Sequence, residues 1–242
     1  MTRLLLLLPL LFIFACQDDD DNVIPTDTTT SMADSARTVT FLALGDSYTI
    51  GTSVTADQRW PAQLAQQLAA PPAEGEAAYN VILDIVATNG WTTNELIAGL
   101  NNRQDLRAEY DLVSLLIGVN NQYRGQSAEL YAPSFETLLN RAIARAGDDA
   151  SKVFVVSIPD YAFTPFGAGN PQISQELDEF NAVARDIADR AGVPFLNITP
   201  ISREGLDDPE LVASDRLHPS GKQYRRWVEE VIAAEARRIL AD

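Results

Sequence analysis

Five short apolar runs, which alternate with longer helical patterns, constrain what this chain can fold into. The apolar runs cover residues 39–44, 81–87, 112–117, 153–158 and 193–198. The helical patterns, in which apolar residues recur every three or four positions, cover residues 59–69, 93–100, 134–146, 173–191 and 221–240. Near-continuous apolar strands that alternate with helices are typical of a parallel sheet covered on both faces. The sequence therefore predicts an α/β fold with a five-stranded parallel sheet, formed as one domain by residues 38–242.

The first apolar run ends at Gly45-Asp46-Ser47, which places a hydroxyl directly after the predicted strand. In open α/β sheets, ligands bind at the carboxyl ends of the strands. Ser47 is therefore a candidate nucleophile, although Gly-Asp-Ser is also an ordinary turn tripeptide. A nucleophilic serine needs a base, a group that orients the base, and donors for the developing oxyanion.

The chain contains a single histidine, His218, so any chemistry that requires imidazole must use it. A multi-histidine zinc site is excluded for the same reason. Pro219 disfavours a helical conformation at His218, so Asp215 and His218 are expected to share a loop before the last helix. Asp215 could then orient the imidazole ring and leave its other nitrogen for Ser47. The alternative is an unrelated surface aspartate and histidine.

Two further loops follow predicted strands and contain candidate oxyanion donors. Gly90 lies after the second strand, where a glycine lets the backbone N–H approach a ligand closely. Asn120 follows Gly118 after the third strand and could direct its side-chain amide to the same point. Each loop alone is also a plain turn.

The motifs Gly-Asp-Ser, Gly-x-Thr, Gly-x-Asn and Asp-x-x-His, in this order, resemble the four blocks of the SGNH/GDSL hydrolase superfamily, over essentially all of residues 38–242. The resemblance implies a three-layer α/β/α sandwich of flavodoxin-like fold and ester hydrolysis through an acyl-enzyme, without a metal or organic cofactor. The roles that it implies are nucleophile for Ser47, base for His218, orienting group for Asp215, and oxyanion donors for Ser47, Gly90 and Asn120. The third block is commonly Gly-x-Asn-Asp, whereas this chain has Asn121 at the last position. The resemblance implies that this position mainly supports the loop.

Three residues beside these motifs, Tyr48, Trp91 and Arg124, are candidate substrate contacts. Packing is the alternative for the two aromatic residues, and a surface salt bridge is the alternative for Arg124. The Pro- and Gly-containing stretch 160–171 is expected to lie over the site and shape the substrate pocket. Carbohydrate O-acyl esters, short aliphatic esters and lysophospholipids all remain open as substrates. The rival hypothesis is a non-catalytic glycan- or lipid-binding surface lipoprotein, which would not need an intact Ser–His–Asp set.

Residues 1–16 are typical of a targeting segment, with Arg3 followed by an apolar run of 12 residues. A membrane-spanning helix needs about 20 residues, so this run predicts a signal peptide. Its end, Ile-Phe-Ala-Cys16, resembles the bacterial lipobox and implies a lipidated Cys16 that anchors the protein in the bacterial cell envelope, at the outer membrane. The alternative is a signal peptide with an incidental cysteine.

Residues 17–37 are rich in Asp, Thr and Ser and predict a flexible acidic tether. The opening residues 17–21 resemble the export signals of surface lipoproteins in Bacteroidetes-type bacteria; a plain solvated tether is the alternative. The formal net charge of the chain is −16. Because phosphate binding needs clustered Lys and Arg, nucleic acid is not expected as a partner. The sequence does not indicate an oligomeric state.

Overall fold

The computed structural model describes residues 36–70 and 77–241. The predictions for Cys16, the signal peptide and nearly all of the tether lie outside the described residues and stay predictions. Among the helices of the described residues, none is both long enough and apolar enough to cross a membrane.

The described residues form a five-stranded sheet in which every neighbouring pair of strands is parallel. The strands are β1 (Arg37–Gly45), β2 (Tyr79–Ala87), β3 (Leu112–Leu116), β4 (Val153–Val156) and β5 (Phe195–Leu196), in the spatial order β2-β1-β3-β4-β5. This is the flavodoxin-like order. It confirms the predicted α/β fold and parallel sheet. The strand order reverses between β1 and β3, and the carboxyl ends of strands at such a reversal form a ligand-binding crevice.

Helices cover both faces of the sheet. They are α1 (Ser47–Ile50), α2 (Trp60–Ala69), α3 (Thr93–Asn101), α4 (Val119–Tyr123), α5 (Ala128–Arg145), α6 (Pro171–Arg190), α7 (Thr199–Ser202), α8 (Gly221–Trp227) and α9 (Ala233–Ala241). A π-helical segment, Val228–Ile232, joins α8 to α9. Helices α2, α8 and α9 pack together on one face, and α3, α5 and α6 pack on the other.

The core is centred on the three inner strands of the sheet, β1, β3 and β4, and the four residues of β4 are all buried. Residues 41–45 of β1 and all of β3 are buried, because both strands have a neighbour on each side and helices above and below. Phe41 of β1 packs against Trp60 and Phe154, with ring centroids 6.1 and 6.4 Å away. This rigid centre fixes the position of the turn that follows β1.

Candidate active site

The turn between β1 and α1 places Ser47 at the first position of a short helix. Asp46 caps this helix, since its Oδ1 accepts a hydrogen bond from the Tyr48 backbone N–H at 3.0 Å. A side chain at position 45 would collide with Thr49 and with the Leu116 carbonyl oxygen, so glycine is required for the turn to pack against β3. Ser47 is thereby held at the carboxyl edge of the sheet, beside the reversal of strand order.

Asp46 is a buried carboxyl group directly before Ser47. Burial raises the pKa of Asp46 to about 7, although the hydrogen bond from the Tyr48 backbone opposes the rise. Its Oδ2 atom has no hydrogen-bond partner among the described residues. The site therefore contains a carboxyl group that titrates near neutral pH.

The loop before α8 brings Asp215 and His218 together. His218 Nδ1 lies 2.6 Å from Asp215 Oδ2. The other carboxylate oxygen, Oδ1, accepts hydrogen bonds from the backbone N–H groups of Leu217 and His218, at 3.0 and 2.9 Å. Because an ionised carboxylate only accepts, Nδ1 of a neutral His218 carries the proton and Nε2 is free to accept one.

Asp215 stays ionised although it is partly buried. Burial raises the pKa of Asp215, but hydrogen bonds from Ser53, from the His218 side chain and from the backbone of His218 and Leu217 together hold it well below its usual range. Ser53 Oγ donates to the same Oδ2 atom that faces His218, at 2.5 Å. No sequence pattern predicts this contact, since 162 residues separate the two side chains.

Ser47 and His218 line one cavity of about 290 Å³. The other lining residues are Tyr48, Asn89, Val119, Asn120, Tyr123, Tyr161, Phe166 and Leu217. The Tyr48 ring packs edge-on against the His218 ring at 5.7 Å between centroids. No hydrogen bond joins the side chains of these two described residues, Ser47 and His218, in this structure; such contacts often shorten only when substrate binds.

Asn120, the second residue of α4, reaches the cavity wall. Its Nδ2 donates a hydrogen bond to the Trp91 carbonyl oxygen at 2.9 Å, which fixes the plane of the amide. An amide has two N–H groups, so the second one remains for a ligand. Gly90 has a φ of +83° and lies one residue beyond Asn89, which lines the cavity. The Gly-x-Asn motif therefore reaches the cavity through Asn120, and the Gly-x-Thr motif that contains Gly90 lies beside the cavity.

Asn121 has its own hydrogen-bond network at the position where the superfamily commonly has aspartate. Its Oδ1 accepts from the Thr93 backbone N–H at 3.1 Å. Its Nδ2 donates to Thr93 Oγ1 and to Gln126 Oε1, at 2.8 and 2.7 Å. The amide therefore ties α4 to the start of α3, a contact of the loop-supporting kind that the resemblance implies for this position.

The three candidate substrate contacts have different surroundings. Tyr48 lines the cavity. Trp91 packs its indole ring over Gly99 of α3, where a side chain would collide with the ring. Arg124 pairs with Glu95 at 3.2 Å and donates to the Gly90 carbonyl oxygen at 2.7 Å. For Trp91 and Arg124 the structure therefore favours the alternatives, packing and a surface ion pair.

Three aromatic residues that the sequence did not single out form one wall of the cavity. The rings of Tyr123, Tyr161 and Phe166 lie 6.2–6.3 Å apart. Tyr123 and Phe166 are 61% and 51% exposed, which is unusual for large apolar side chains held in a cluster. Tyr161 and Phe166, which line the cavity, belong to the stretch 160–171. The Phe166 N–H donates to the Arg216 carbonyl and so ties this stretch to the histidine loop.

The structure is a parallel α/β sheet with Ser47 directly after its first strand, and His218, which lines the same cavity as Ser47, is paired with Asp215. The profile of the GDSL-like lipase/acylhydrolase family matches residues 43–226. The chain belongs to this family and is a carboxylic ester hydrolase.

Solved structures share the fold at low sequence identity. The aryl esterase of M. smegmatis is 22% identical, with a TM-score of 0.61 over 84% of this chain and 100% of that chain. Acetylxylan esterase Axe2 from Geobacillus stearothermophilus is 19% identical, with a TM-score of 0.61 over 86% and 96%. A lipolytic protein of the G-D-S-L family from Veillonella parvula is 16% identical, with a TM-score of 0.60 over 84% and 98%. No curated protein matches the chain significantly.

Proposed function

We propose that the protein is a serine esterase that hydrolyses small, neutral carboxylic esters through an acyl-enzyme, with Ser47 as nucleophile, His218 as base and Asp215 as orienting group. One observation carries this proposal: Ser47 and His218 line the same cavity, while Asp215 holds the far nitrogen of the imidazole ring. This is the arrangement that serine-dependent acyl transfer requires.

In the proposed reaction, His218 Nε2 removes the Ser47 hydroxyl proton as Oγ attacks the ester carbonyl carbon. The imidazolium that forms is stabilised by Asp215 and then protonates the leaving alcohol, which gives the acyl-enzyme. A water molecule next loses a proton to Nε2 and attacks the acyl carbon. The acid leaves when the proton returns to Ser47 Oγ, so the enzyme is restored without any net proton change.

Three N–H donors are proposed for the oxyanion: the backbone of Ser47, the backbone of Gly90 and the side chain of Asn120. Donors that are already oriented stabilise the negative charge as it develops and need no reorganisation at that moment. The hydrogen bond from Asn120 to the Trp91 carbonyl supports this role, because it fixes the amide before substrate arrives.

Asn120→Ala is expected to lower kcat about 10²–10³-fold, about 2.7–4 kcal/mol, with little change in KM. The reason is that the amide would bind the oxyanion more strongly than the ground-state carbonyl. Steady-state kinetics on a p-nitrophenyl ester measures both constants. Asn89→Ala, which changes another asparagine on the cavity wall, is the matched control and should cost much less in kcat. A change confined to KM would remove Asn120 from the oxyanion site.

The lining of the cavity supports neutral substrates. Among the described lining residues, His218 is the only basic side chain, and none is Lys, Arg, Asp or Glu. The formal charge of −16 on the whole chain also disfavours anionic substrates. A lysophospholipid phosphate would therefore lack a cationic partner here. The cavity volume of about 290 Å³ is just below the usual range for ligand pockets, about 300–1,000 Å³, which favours a short acyl group.

Short acyl esters of sugars or of simple alcohols fit these limits best. The exposed rings of Tyr123 and Phe166 offer flat apolar surfaces against which a sugar or aryl ring could stack. Axe2 is an acetylxylan esterase and the M. smegmatis protein is an aryl esterase, so both proposed alcohol classes occur among proteins of this fold.

The test is a substrate series of p-nitrophenyl acetate, butyrate and decanoate, together with acetylated xylo-oligosaccharides and lysophosphatidylcholine. We expect kcat/KM to be highest for acetyl and butyryl esters and to fall with chain length. Preference for decanoate or lysophosphatidylcholine would overturn the proposed substrate class. Binding of these compounds without turnover of any of them would instead favour the non-catalytic glycan- or lipid-binding hypothesis.

A further inference from the structure

Ser53 combines an uncommon backbone conformation with a hydrogen bond to the site. Its φ is +68°, one of four positive values at non-glycine residues in the described part of the chain. Such conformations cost free energy and persist where the surrounding structure imposes them. The Ser53 hydroxyl donates to Asp215 Oδ2 at 2.5 Å, and the same oxygen lies 2.6 Å from His218 Nδ1.

We propose that Ser53 is a positioning residue of the esterase site. Its hydroxyl donates a hydrogen bond to the same Asp215 oxygen that faces His218. This hydrogen bond weakens the hold of the carboxylate on the imidazole proton. The inference rests on the proposed function of Asp215 and His218. Ser53 would keep His218 neutral, and therefore active as a base, at lower pH than the pair alone would allow.

Ser53 is not the only group that orients Asp215. Its Oδ1 atom is held by two backbone N–H groups of its own loop, those of Leu217 and His218. The Ser53 hydrogen bond therefore acts on the charge of Oδ2 more than on its position. Without the hydroxyl, more of the negative charge acts on His218 alone, and an adjacent carboxylate stabilises the protonated form of histidine.

The short segment that carries Ser47 also supplies Ser53. The segment leaves α1 through Gly51, which has a φ of +76°, and reaches Ser53 two residues later. Tyr48, from the same segment, packs its ring against His218. One continuous stretch thus provides the proposed nucleophile, an aromatic ring that packs against the proposed base, and a hydrogen bond to the orienting carboxylate.

Other ionisable groups lie near Asp215 and His218, and their titration must be distinguished from that of His218. They are Tyr48, Tyr123 and Tyr161, which line the cavity with His218, and Tyr224 and Asp46 behind them; Arg216 follows Asp215 in the chain. Burial raises the pKa values of Tyr48 and Tyr224 well above their ordinary range, so both stay neutral near pH 7. Asp46, with a pKa of about 7, titrates in the range of interest. A measurement that reports the histidine itself is therefore needed beside the rate.

His218 is the only histidine in the chain, so its imidazole NMR signals can be followed without assignment. The experiment titrates the full-length protein, carrying a tag without histidine, as wild type, Ser53→Ala and Ser53→Gly. The midpoint of the His218 titration is expected to move up by about half a pH unit or more in both variants. On the acidic side of the profile, kcat/KM should fall about threefold, because less of the ring is neutral.

The two variants separate the hydroxyl from the backbone. Glycine adopts a positive φ freely whereas alanine does not, so only Ser53→Gly relieves the strain, and it keeps the test open if Ser53→Ala folds poorly. Ser151→Ala is the matched control, because Ser151 Oγ also donates to a carboxylate, Asp149, at 2.6 Å. It should leave both the midpoint and the rate unchanged.

An unchanged midpoint in both Ser53 variants would overturn the inference, and so would a downward shift. A shift in Ser53→Ala that is absent in Ser53→Gly would assign the effect to backbone strain and overturn it as well. Failure of the proposed function has a different signature: the wild type would not hydrolyse esters, whereas the NMR titration of His218 would still be measurable.

Discussion

Ser47→Ala is expected to abolish ester hydrolysis and leave the fold intact. Loss of a serine nucleophile typically costs on the order of 10⁶ in kcat. The Ser47 side chain makes no hydrogen bond to another described residue, and the α1 cap is provided by Asp46. The free energy of unfolding should therefore change by less than about 1 kcal/mol. Hydrolysis of p-nitrophenyl acetate and a thermal unfolding curve measure the two effects.

A fluorophosphonate provides an independent check on the same residue. It should form a covalent adduct with Ser47 in the wild type and leave Ser47→Ala unlabelled, as shown by mass spectrometry of the peptides. Ser151→Ala, which removes a hydroxyl away from the cavity, should label and turn over like the wild type. An adduct on another residue, or a Ser47→Ala activity above about a tenth of the wild-type value, would identify a different nucleophile.

The centre of the fold could be predicted from sequence because its strands are buried on both faces. The apolar runs that form β1 and β3 contain few polar residues, and such runs indicate parallel strands directly. Ser47 follows from the break at Gly45-Asp46, and His218 from the absence of any other histidine. The pairing of Asp215 with His218 needs only a short loop, so its local spacing was sufficient.

Edges and helix ends were less predictable. The sequence predicts a strand over 193–198, but only Phe195–Leu196 pairs, because β5 is an edge strand that meets β4 at two positions. The sequence also predicts that the helix after Pro133 begins at residue 134. The helix instead begins at Ala128, where Ser127 caps it, and Pro133 lies inside it. A proline early in a helix loses one backbone hydrogen bond, and the packing of the buried face offsets this cost.

The features of the site that could not be predicted depend on contacts between distant parts of the chain. Ser53 meets Asp215 across 162 residues, and no local pattern marks either its positive φ or its partner. Tyr123 and Phe166 come from different segments and line one cavity only after folding. For Trp91, local position predicted a substrate contact because the residue follows Gly90. The packing of the indole ring over Gly99 on α3 could not be predicted, because it depends on the absence of a side chain at position 99.

His218→Ala is expected to remove most of the activity and, with it, the rise of kcat/KM with pH. Only neutral imidazole can accept the Ser47 proton, so in the wild type kcat/KM rises as the ring deprotonates. The chain has no second histidine that could take over. Loss of the base in such a site costs kcat about as much as loss of the serine, on the order of 10⁶. The measurement is a kcat/KM profile from pH 5 to 9 on a neutral ester.

Asp46 is a second group whose titration could make kcat/KM rise with pH, because its pKa of about 7 lies between pH 5 and 9 and it directly precedes Ser47. Asp46→Asn separates the two, since asparagine can still cap α1 through Tyr48 but carries no titrating proton. Burial raises the pKa of Asp46 to about 7, so the contribution of Asp46 to the free energy of unfolding is full below pH 3.8 and is lost as the pH rises through 7. The acidic limb should persist in Asp46→Asn and disappear in His218→Ala. If it disappeared in Asp46→Asn and persisted in the histidine variant, the base would be the buried carboxylate, and the Ser–His–Asp mechanism would have to be abandoned.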